Sequence, residues 1–175
     1  MQLNVPYVLL ALTGLLTNLI SAGTIHFVNQ DDTDRTIYFT PNEGGEEIDE
    51  LEIAGLETVE QDFPEAWVGN FYSVSEDEDN VPGMLGEVRF DGFAGQTYFD
   101  VSAIVNPEDD EGVKMLFPLL SPTPLSGCQT FPCDNAYNKW DDVRTLSTPE
   151  SALVCLIGNV DDERKRGFSR GRVSH

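Results

Sequence analysis

The sequence predicts an all-β protein built as an antiparallel β-sandwich. Short runs that alternate apolar and polar residues recur along the chain, and clusters of Gly, Pro, Asn and Asp separate them. This pattern is typical of strands joined by turns. No stretch shows the 3.6-residue apolar spacing of a convincing amphipathic helix. Many short strands without helices favour two packed sheets.

The strand pattern recurs in order from the start of the predicted domain to its end. The first two runs flank an Asp-rich turn and predict a hairpin, and the pair around residues 91–96 flanks a glycine-rich turn and predicts a second one. The predicted strands lie at residues 24–29, 35–40, 48–53, 57–63, 67–74, 84–90, 97–105, 113–117 and 152–157.

The chain divides into three predicted parts. Residues 1–23 lack charged side chains and centre on an apolar run shorter than the ~20 residues of a membrane span, which predicts a cleaved signal peptide. Residues 24–160 are long enough for one sandwich domain with a single core. Residues 161–175 have no core-forming pattern and predict a disordered basic tail, which a processing protease could cut at Lys165-Arg166. We therefore expect a secreted, extracellular protein that is not anchored in a membrane.

Acidic residues dominate the composition. The chain has 31 Asp and Glu against 10 Lys and Arg, a formal net charge of −21, and half of the bases lie at residues 164–172. An acidic body repels nucleic-acid phosphates, which bind through cationic contacts, so nucleic acid is not an expected partner. The charge favours solubility, an acidic medium or cationic partners. The basic tail also has the charge to fold back onto the acidic body.

Three acidic stretches predict loops, at residues 41–47, 76–83 and 107–112. Each has clustered carboxylates that could chelate calcium, but none has the Asp-x-Asp-x-Asp-Gly spacing with a closing Glu. We interpret them as solvated turns and expect no metal and no cofactor.

The 3 cysteines leave one unpaired in an oxidising compartment. Cys128 and Cys133 are close enough in sequence to close a short loop. Cys155 lies in the apolar run 152–157, which predicts a buried, unreactive thiol. A pair between Cys133 and Cys155 remains the alternative.

Carboxylate pairs are the chemistry that this composition can supply. His26 lies in a predicted strand and His175 at the terminus, so a nucleophilic triad lacks a base and zinc lacks its usual ligand spacing. Glu87 and Asp100 lie on the two arms of the second predicted hairpin, where they would face the same side at neighbouring positions. Glycoside cleavage needs two such acids across a cleft.

Residues 86–102 read Gly-Glu-Val-Arg-Phe-Asp-Gly-Phe-Ala-Gly-Gln-Thr-Tyr-Phe-Asp-Val-Ser. This segment resembles, without a gap, one found in thaumatin-like proteins. The resemblance continues at residues 23–29, 67–70, 133–145 and 152–157. It implies the sandwich of that family's main domain, in the reduced form of small secreted fungal proteins. Some such proteins are labelled deoxyribonucleases, a label that the scarce histidines and the acidic charge do not support.

In thaumatin-like proteins, a glutamate, three aspartates and an arginine line a cleft that binds β-glucan. The resemblance places Glu87 and Asp100 on two of these acids, and Asp141 or Asp142 on the last. The middle aspartate position is Asn106 in this sequence, and the arginine position is Asn70. Both replacements remove charges that would orient a sugar or separate two carboxyl pKa values.

The resemblance also fails where the family has a disulfide-rich second domain that forms the other wall of the cleft. Only residues 107–132 occupy that interval here, with one cysteine among them. The partner that the family provides for Cys155 is absent as well, and Asp31 lies near that position. A free Cys155 and a shallower cleft are therefore expected.

These departures favour a non-catalytic binding module over an enzyme. The expected ligand is a cell-wall polysaccharide of the β-glucan type or an extracellular protein, and the candidate ligand-binding residues are Glu87, Asp100, Asp141, Asp142, Asn106 and Asn70. One alternative is a weak endo-β-1,3-glucanase with Glu87 as proton donor and Asp100 as partner carboxylate. Another is a secreted effector or antigen with no small-molecule ligand.

Overall fold

The computed structural model describes residues 23–160, and every structural statement below concerns that part of the chain. The predicted basic tail and all of the predicted signal peptide except Gly23 lie outside the described residues. No helix within residues 23–160 is long and apolar enough to cross a membrane.

Eleven strands and one short 3-10 turn, Phe93–Gly95, make up the described chain. The strands are β1 (Gly23–Asn29), β2 (Arg35–Pro41), β3 (Leu51–Ile53), β4 (Thr58–Phe63), β5 (Val68–Ser75), β6 (Leu85–Arg89), β7 (Thr97–Ser102), β8 (Val113–Pro118), β9 (Ser126–Gly127), β10 (Leu146–Thr148) and β11 (Ala152–Ile157).

The strands form two sheets that enclose the core between them. The five-stranded sheet has the order β4-β1-β11-β8-β9, and the six-stranded sheet has the order β10-β7-β6-β5-β2-β3. The prediction of an all-β sandwich is confirmed at this level. One pair departs from the antiparallel pattern, because β1 and β11 run parallel from Thr24↔Ala152 to Asn29↔Ile157.

The predicted hairpin of the first two strands is wrong. β1 pairs with β4 and β11 in one sheet, whereas β2 pairs with β3 and β5 in the other. The physical reason is that both strands have an apolar face, and these faces pack against each other across the core. Phe27 of β1 meets Phe39 of β2 edge to face, with 6.0 Å between ring centroids. The Asp-rich turn therefore joins two layers instead of two neighbouring strands.

Phenylalanine side chains form the centre of the core. Phe27 and Phe71 lie edge to face at 5.1 Å, and Phe63 and Phe90 are 5.0 Å apart. The Phe71 ring also lies flush against β6, since a Cβ on Gly86 would come within 2.3 Å of it. β6 can therefore approach the core closely at Gly86 while its neighbour Glu87 points away from it.

The predicted strands mostly match the observed ones, with differences at the ends. The predicted strands at 48–53 and 97–105 are shorter in the structure, where β3 spans Leu51–Ile53 and β7 spans Thr97–Ser102. β9 and β10 were not predicted, because runs of two and three residues carry too little alternation to be recognised.

The cysteines adopt the first of the two predicted arrangements. Cys128 and Cys133 form a disulfide, and Cys155 is a buried free thiol on the inner face of β11. Burial raises the pKa of the Cys155 thiol far above its usual range, so it stays protonated. A protonated thiol inside the core is inert as a nucleophile.

Candidate functional site: a carboxyl pair on the outer sheet face

Three of the predicted site residues form one row across the six-stranded sheet. Asn70 of β5 pairs with Glu87 of β6, and Glu87 pairs with Asp100 of β7. Residues directly opposite each other on antiparallel strands present their side chains on the same face. Their neighbours Phe71, Val88 and Phe99 belong to the core, so this row lies on the outer face of the sheet.

The row borders a groove of about 300 Å³. Its lining mixes the carboxyl and amide groups with a guanidinium, a phenol and a hydroxyl. The lining residues are Asn42, Val68, Gly69, Asn70, Glu87, Val88, Arg89, Tyr98, Asp100 and Thr145.

A loop segment, residues 137–145, closes the groove on the β7 side. Tyr137 binds β7 through its backbone, donating to the Val101 carbonyl at 2.9 Å and accepting from Ala103 N–H at 2.8 Å. Its hydroxyl also lies 2.9 Å from the Thr145 hydroxyl, which fixes the far end of the segment. The segment therefore shields Asp100, which is only 5% exposed although it points outward.

This burial changes the acidity of the carboxyl pair. Burial, together with a hydrogen bond with Glu87 and repulsion from its charge, raises the pKa of Asp100 to about 8. A hydrogen bond with Thr145 opposes the increase. Asp100 therefore keeps its proton at neutral pH. The pair offers both a donor and an acceptor at the same point of the groove.

The register of β6 and β7 limits the chemistry that the two carboxyl groups can perform. Residues directly opposite each other on antiparallel strands have Cβ atoms about 4.5–5.5 Å apart. Glycosidases need about 5 Å between their two carboxyl groups for a covalent intermediate and about 6.5–9.5 Å for an attacking water. Glu87 and Asp100 are directly opposed on adjacent strands, which does not favour the wider spacing that an attacking water needs.

The other predicted site residues lie apart from this row. Asp142 accepts the backbone N–H groups of Asn138 and Lys139, both at 2.9 Å, and these bonds lower the pKa of Asp142. Asp142 caps a turn, and neither it nor the exposed Asp141 lines the groove. Asn106 accepts the Glu108 N–H at 3.2 Å and borders a different groove, next to residues 109–112.

Seven of the ten lining residues were not among the sequence candidates, and Arg89, Tyr98 and Thr145 are the polar ones nearest the carboxyl pair in the sheet. Arg89 and Tyr98 form a cross-strand pair on the outer face, each two positions from a member of the carboxyl pair. Strand alternation could have identified both, because residues two apart share a face. Thr145 directly precedes the short strand β10, and no pattern in the neighbouring sequence predicts that it lies in the site. It reaches Asp100 because Leu146 pairs with Phe99.

Within residues 23–160, no group of three or more His, Cys, Asp or Glu side chains is arranged to hold a metal ion. His26 lies on the other sheet, with its Nδ1 atom 3.6 Å from the Glu60 carboxylate. It is therefore remote from the carboxyl pair.

The fold and the groove together define a class: a two-sheet β-sandwich with two directly opposed carboxyl groups on the outer face of its larger sheet. No family model matches the chain. The chain is 47% identical over 136 residues to antigenic protein SchS21 of Stachybotrys chartarum, and the match covers 78% of this chain and 94% of that protein. The chain belongs to the family of that antigenic protein.

A solved structure shares the fold. The protein elicitor MoHrip2 from Magnaporthe oryzae superposes with a TM-score of 0.54 at 15% identity, and the match covers 78% of this chain and 98% of that one. At this level of identity the similarity concerns the fold alone.

Proposed function

We propose that this protein is an extracellular, non-catalytic binding protein whose Glu87 and Asp100 groove binds a neutral polysaccharide of the β-glucan type. The relative SchS21 is described as antigenic, and the structural neighbour MoHrip2 is described as a protein elicitor. Both descriptions are compatible with a protein that meets other organisms outside the cell.

The observation that carries the proposal is the row of Asn70, Glu87 and Asp100 along the groove. A sugar hydroxyl both donates and accepts hydrogen bonds, and the row from Asn70 to Asp100 presents donors and acceptors side by side. Tyr98 adds an aromatic side chain to the lining. Arg89 offsets the remaining negative charge, so the groove suits an uncharged polyol.

We further propose that the chain is a reduced relative of thaumatin-like proteins. The resemblance implies a glutamate and an aspartate facing each other on neighbouring strands, and the Glu87↔Asp100 pairing fits that arrangement. In this proposal, residues 137–145 provide the one wall of the groove. A groove with one wall suits binding along the surface of a polymer. An enzyme site, by contrast, encloses the bond that reacts.

The burial of Asp100 weighs against the alternative of a glucanase. Asp100 is only 5% exposed, whereas the second carboxyl group of a glycosidase must reach the sugar or a water. A binding protein has no such requirement.

Replacing Glu87 with glutamine is expected to weaken binding to insoluble β-1,3-glucan by about tenfold, because a hydrogen bond to a charged group contributes about 1.5–3 kcal/mol. The measurement is the fraction of protein that sediments with the polymer, with chitin run in parallel. Glu60→Gln is the matched control, since it removes one carboxylate from the opposite sheet. It should sediment like the unmodified protein.

Two outcomes would contradict the proposal. An unmodified protein that stays in the supernatant with both polymers would remove the polysaccharide ligand. Reducing-sugar release from laminarin that disappears in Glu87→Gln would show an enzyme instead of a binding protein.

A further inference from the structure

A second groove, here called the acidic groove, lies between the predicted acidic loops at residues 76–83 and 107–112. It measures about 350 Å³ and has five carboxylates and no basic side chain in its lining. The lining residues are Ser73, Val74, Ser75, Glu78, Asp79, Val81, Gly83, Asn106, Asp109, Asp110, Glu111 and Gly112.

Two of the carboxylates are already engaged in the fold. Asp109 accepts backbone N–H groups from Met84, Glu111 and Gly112 and thereby joins the two loops. Glu111 accepts the Ser75 hydroxyl at 3.2 Å.

The other three carboxylates of the acidic groove are free to bind a ligand. Glu78, Asp79 and Asp110 are exposed, and their carboxylates make no hydrogen bond or ion pair with any residue in the range 23–160. They therefore leave a concentrated negative charge at the mouth of the groove.

Buried cations contact the same loop from the core side, but they bind its backbone. Lys114 donates to the Asp110 carbonyl, and Arg35 donates to the Glu111 carbonyl at 3.0 Å. These contacts turn the carbonyl groups inward. The side chains of Asp110 and Glu111 are exposed, and their charges act on Lys114 without forming an ion pair with it, so a further cation can reach them from solvent.

An unpartnered hydroxyl provides an independent sign of a ligand. Ser73 is 7% exposed, its Oγ is buried, and that atom has no hydrogen-bond partner within the described residues. A buried polar atom without a partner destabilises a fold, and most such atoms in proteins are satisfied. Ser73 lines the acidic groove, so its hydroxyl can accept an N–H group from a ligand there.

The chain itself leaves the sandwich at the rim of this groove. Gly158, directly after β11, donates to the carbonyls of both Glu111 and Gly112 at 3.1 Å. An extended chain from Gly158 to Arg164 spans up to about 20 Å. The bases at residues 164–172 are therefore tethered within reach of the acidic groove.

We propose that the acidic groove binds the arginine and lysine side chains of this chain's own residues 164–172, whose sequence is Arg-Lys-Arg-Gly-Phe-Ser-Arg-Gly-Arg. Guanidinium groups bind carboxylates through paired hydrogen bonds. A short tether gives the segment a millimolar effective concentration at the groove. Exposed ion pairs are individually weak, so specificity comes from several carboxylates acting together with Ser73.

Zero-length carbodiimide cross-linking of the full chain tests this proposal, because it joins a lysine amine only to a carboxylate in contact with it. Mass spectrometry is expected to find Lys165 joined to Glu78, Asp79 or Asp110 in preference to other acids. The triple variant Glu78→Gln, Asp79→Asn, Asp110→Asn should lower the total yield of Lys165 cross-links by about tenfold. Raising the salt to 1 M, where the Debye length is about 3 Å, should also lower it.

A matched variant tests whether the cross-links depend on the acidic groove or only on the negative charge of the protein surface. Glu43→Gln, Glu46→Gln, Glu47→Gln removes three exposed carboxylates from another acidic loop and should leave the Lys165 cross-links unchanged. Cross-links spread evenly over the acidic loops would overturn the proposal. An equal loss of yield in the two triple variants would overturn it as well.

Discussion

Replacing Arg35 with methionine is expected to lower the free energy of unfolding by about 3–5 kcal/mol, the usual cost of stranding one partner of a buried ion pair. Arg35 is 3% exposed, and its guanidinium donates to both carboxylate oxygens of Asp31, at 3.1 and 2.9 Å. Methionine keeps most of the side-chain volume but leaves the Asp31 charge buried without its counter-ion. The Ser75 hydroxyl and the Glu111 carbonyl would also lose a donor.

Urea denaturation checks this expectation, with Arg144→Met as the control. Arg144 is exposed on a loop, so its replacement should change the stability by no more than about 0.5 kcal/mol. The double variant Arg35→Met, Asp31→Leu should regain only part of the loss, because it removes both charges but leaves the backbone N–H groups of Thr33 and Asn159 without their acceptor. Equal stability of the two single variants would show that the Arg35 and Asp31 pair does not hold the sandwich together.

Replacing Asp100 with asparagine is expected to stabilise the protein at pH 9 by about 1–3 kcal/mol and to change its stability little at pH 4. The pKa of Asp100 is raised in the folded state to about 8 from its usual 3.8. The folded protein therefore keeps a proton that the unfolded chain releases between these values. The resulting stability is complete below about pH 4 and is lost as the pH rises through about 8. Asparagine does not ionise, so the variant escapes that loss.

The measurement is the free energy of unfolding of both proteins in urea from pH 4 to pH 9. Glu87→Gln provides a graded control. It removes the neighbouring charge but leaves the burial of Asp100, which is the largest cause of the shift. The pH profile of its unfolding free energy should fall between those of the unmodified protein and Asp100→Asn. Parallel profiles for the unmodified protein and Asp100→Asn would contradict the raised pKa of Asp100.

The central part of the site could be predicted from the sequence because it is local. Glu87 and Asp100 lie on two strands joined by a short glycine-rich turn, so the chain between them fixes their register. Asn70 joins them through the next antiparallel pair along the chain. Strand alternation then places all three on one face.

The rest of the site depends on contacts that alternation does not encode. Period-two spacing identifies the faces of a strand but not the sheet it joins, which is why β1 and β2 were wrongly paired. Thr145 and the wall at residues 137–145 depend on pairing with β7, far away in sequence. The hairpin alone brings Glu87 next to Asp100, but the burial that contributes most to the raised pKa of Asp100 also depends on residues outside the hairpin.

The parallel pairing of β1 with β11 also has a consequence for how the protein folds. The first strand of the sandwich lies between β4 and the last strand, so one edge of β1 stays unpaired until the end of the domain has been synthesised. Pairs such as Thr24↔Ala152 join residues from opposite ends of the domain. Such long loop closures give high contact order and slow folding. The β1 and β11 pairing can therefore form only after residues 152–157 have been synthesised.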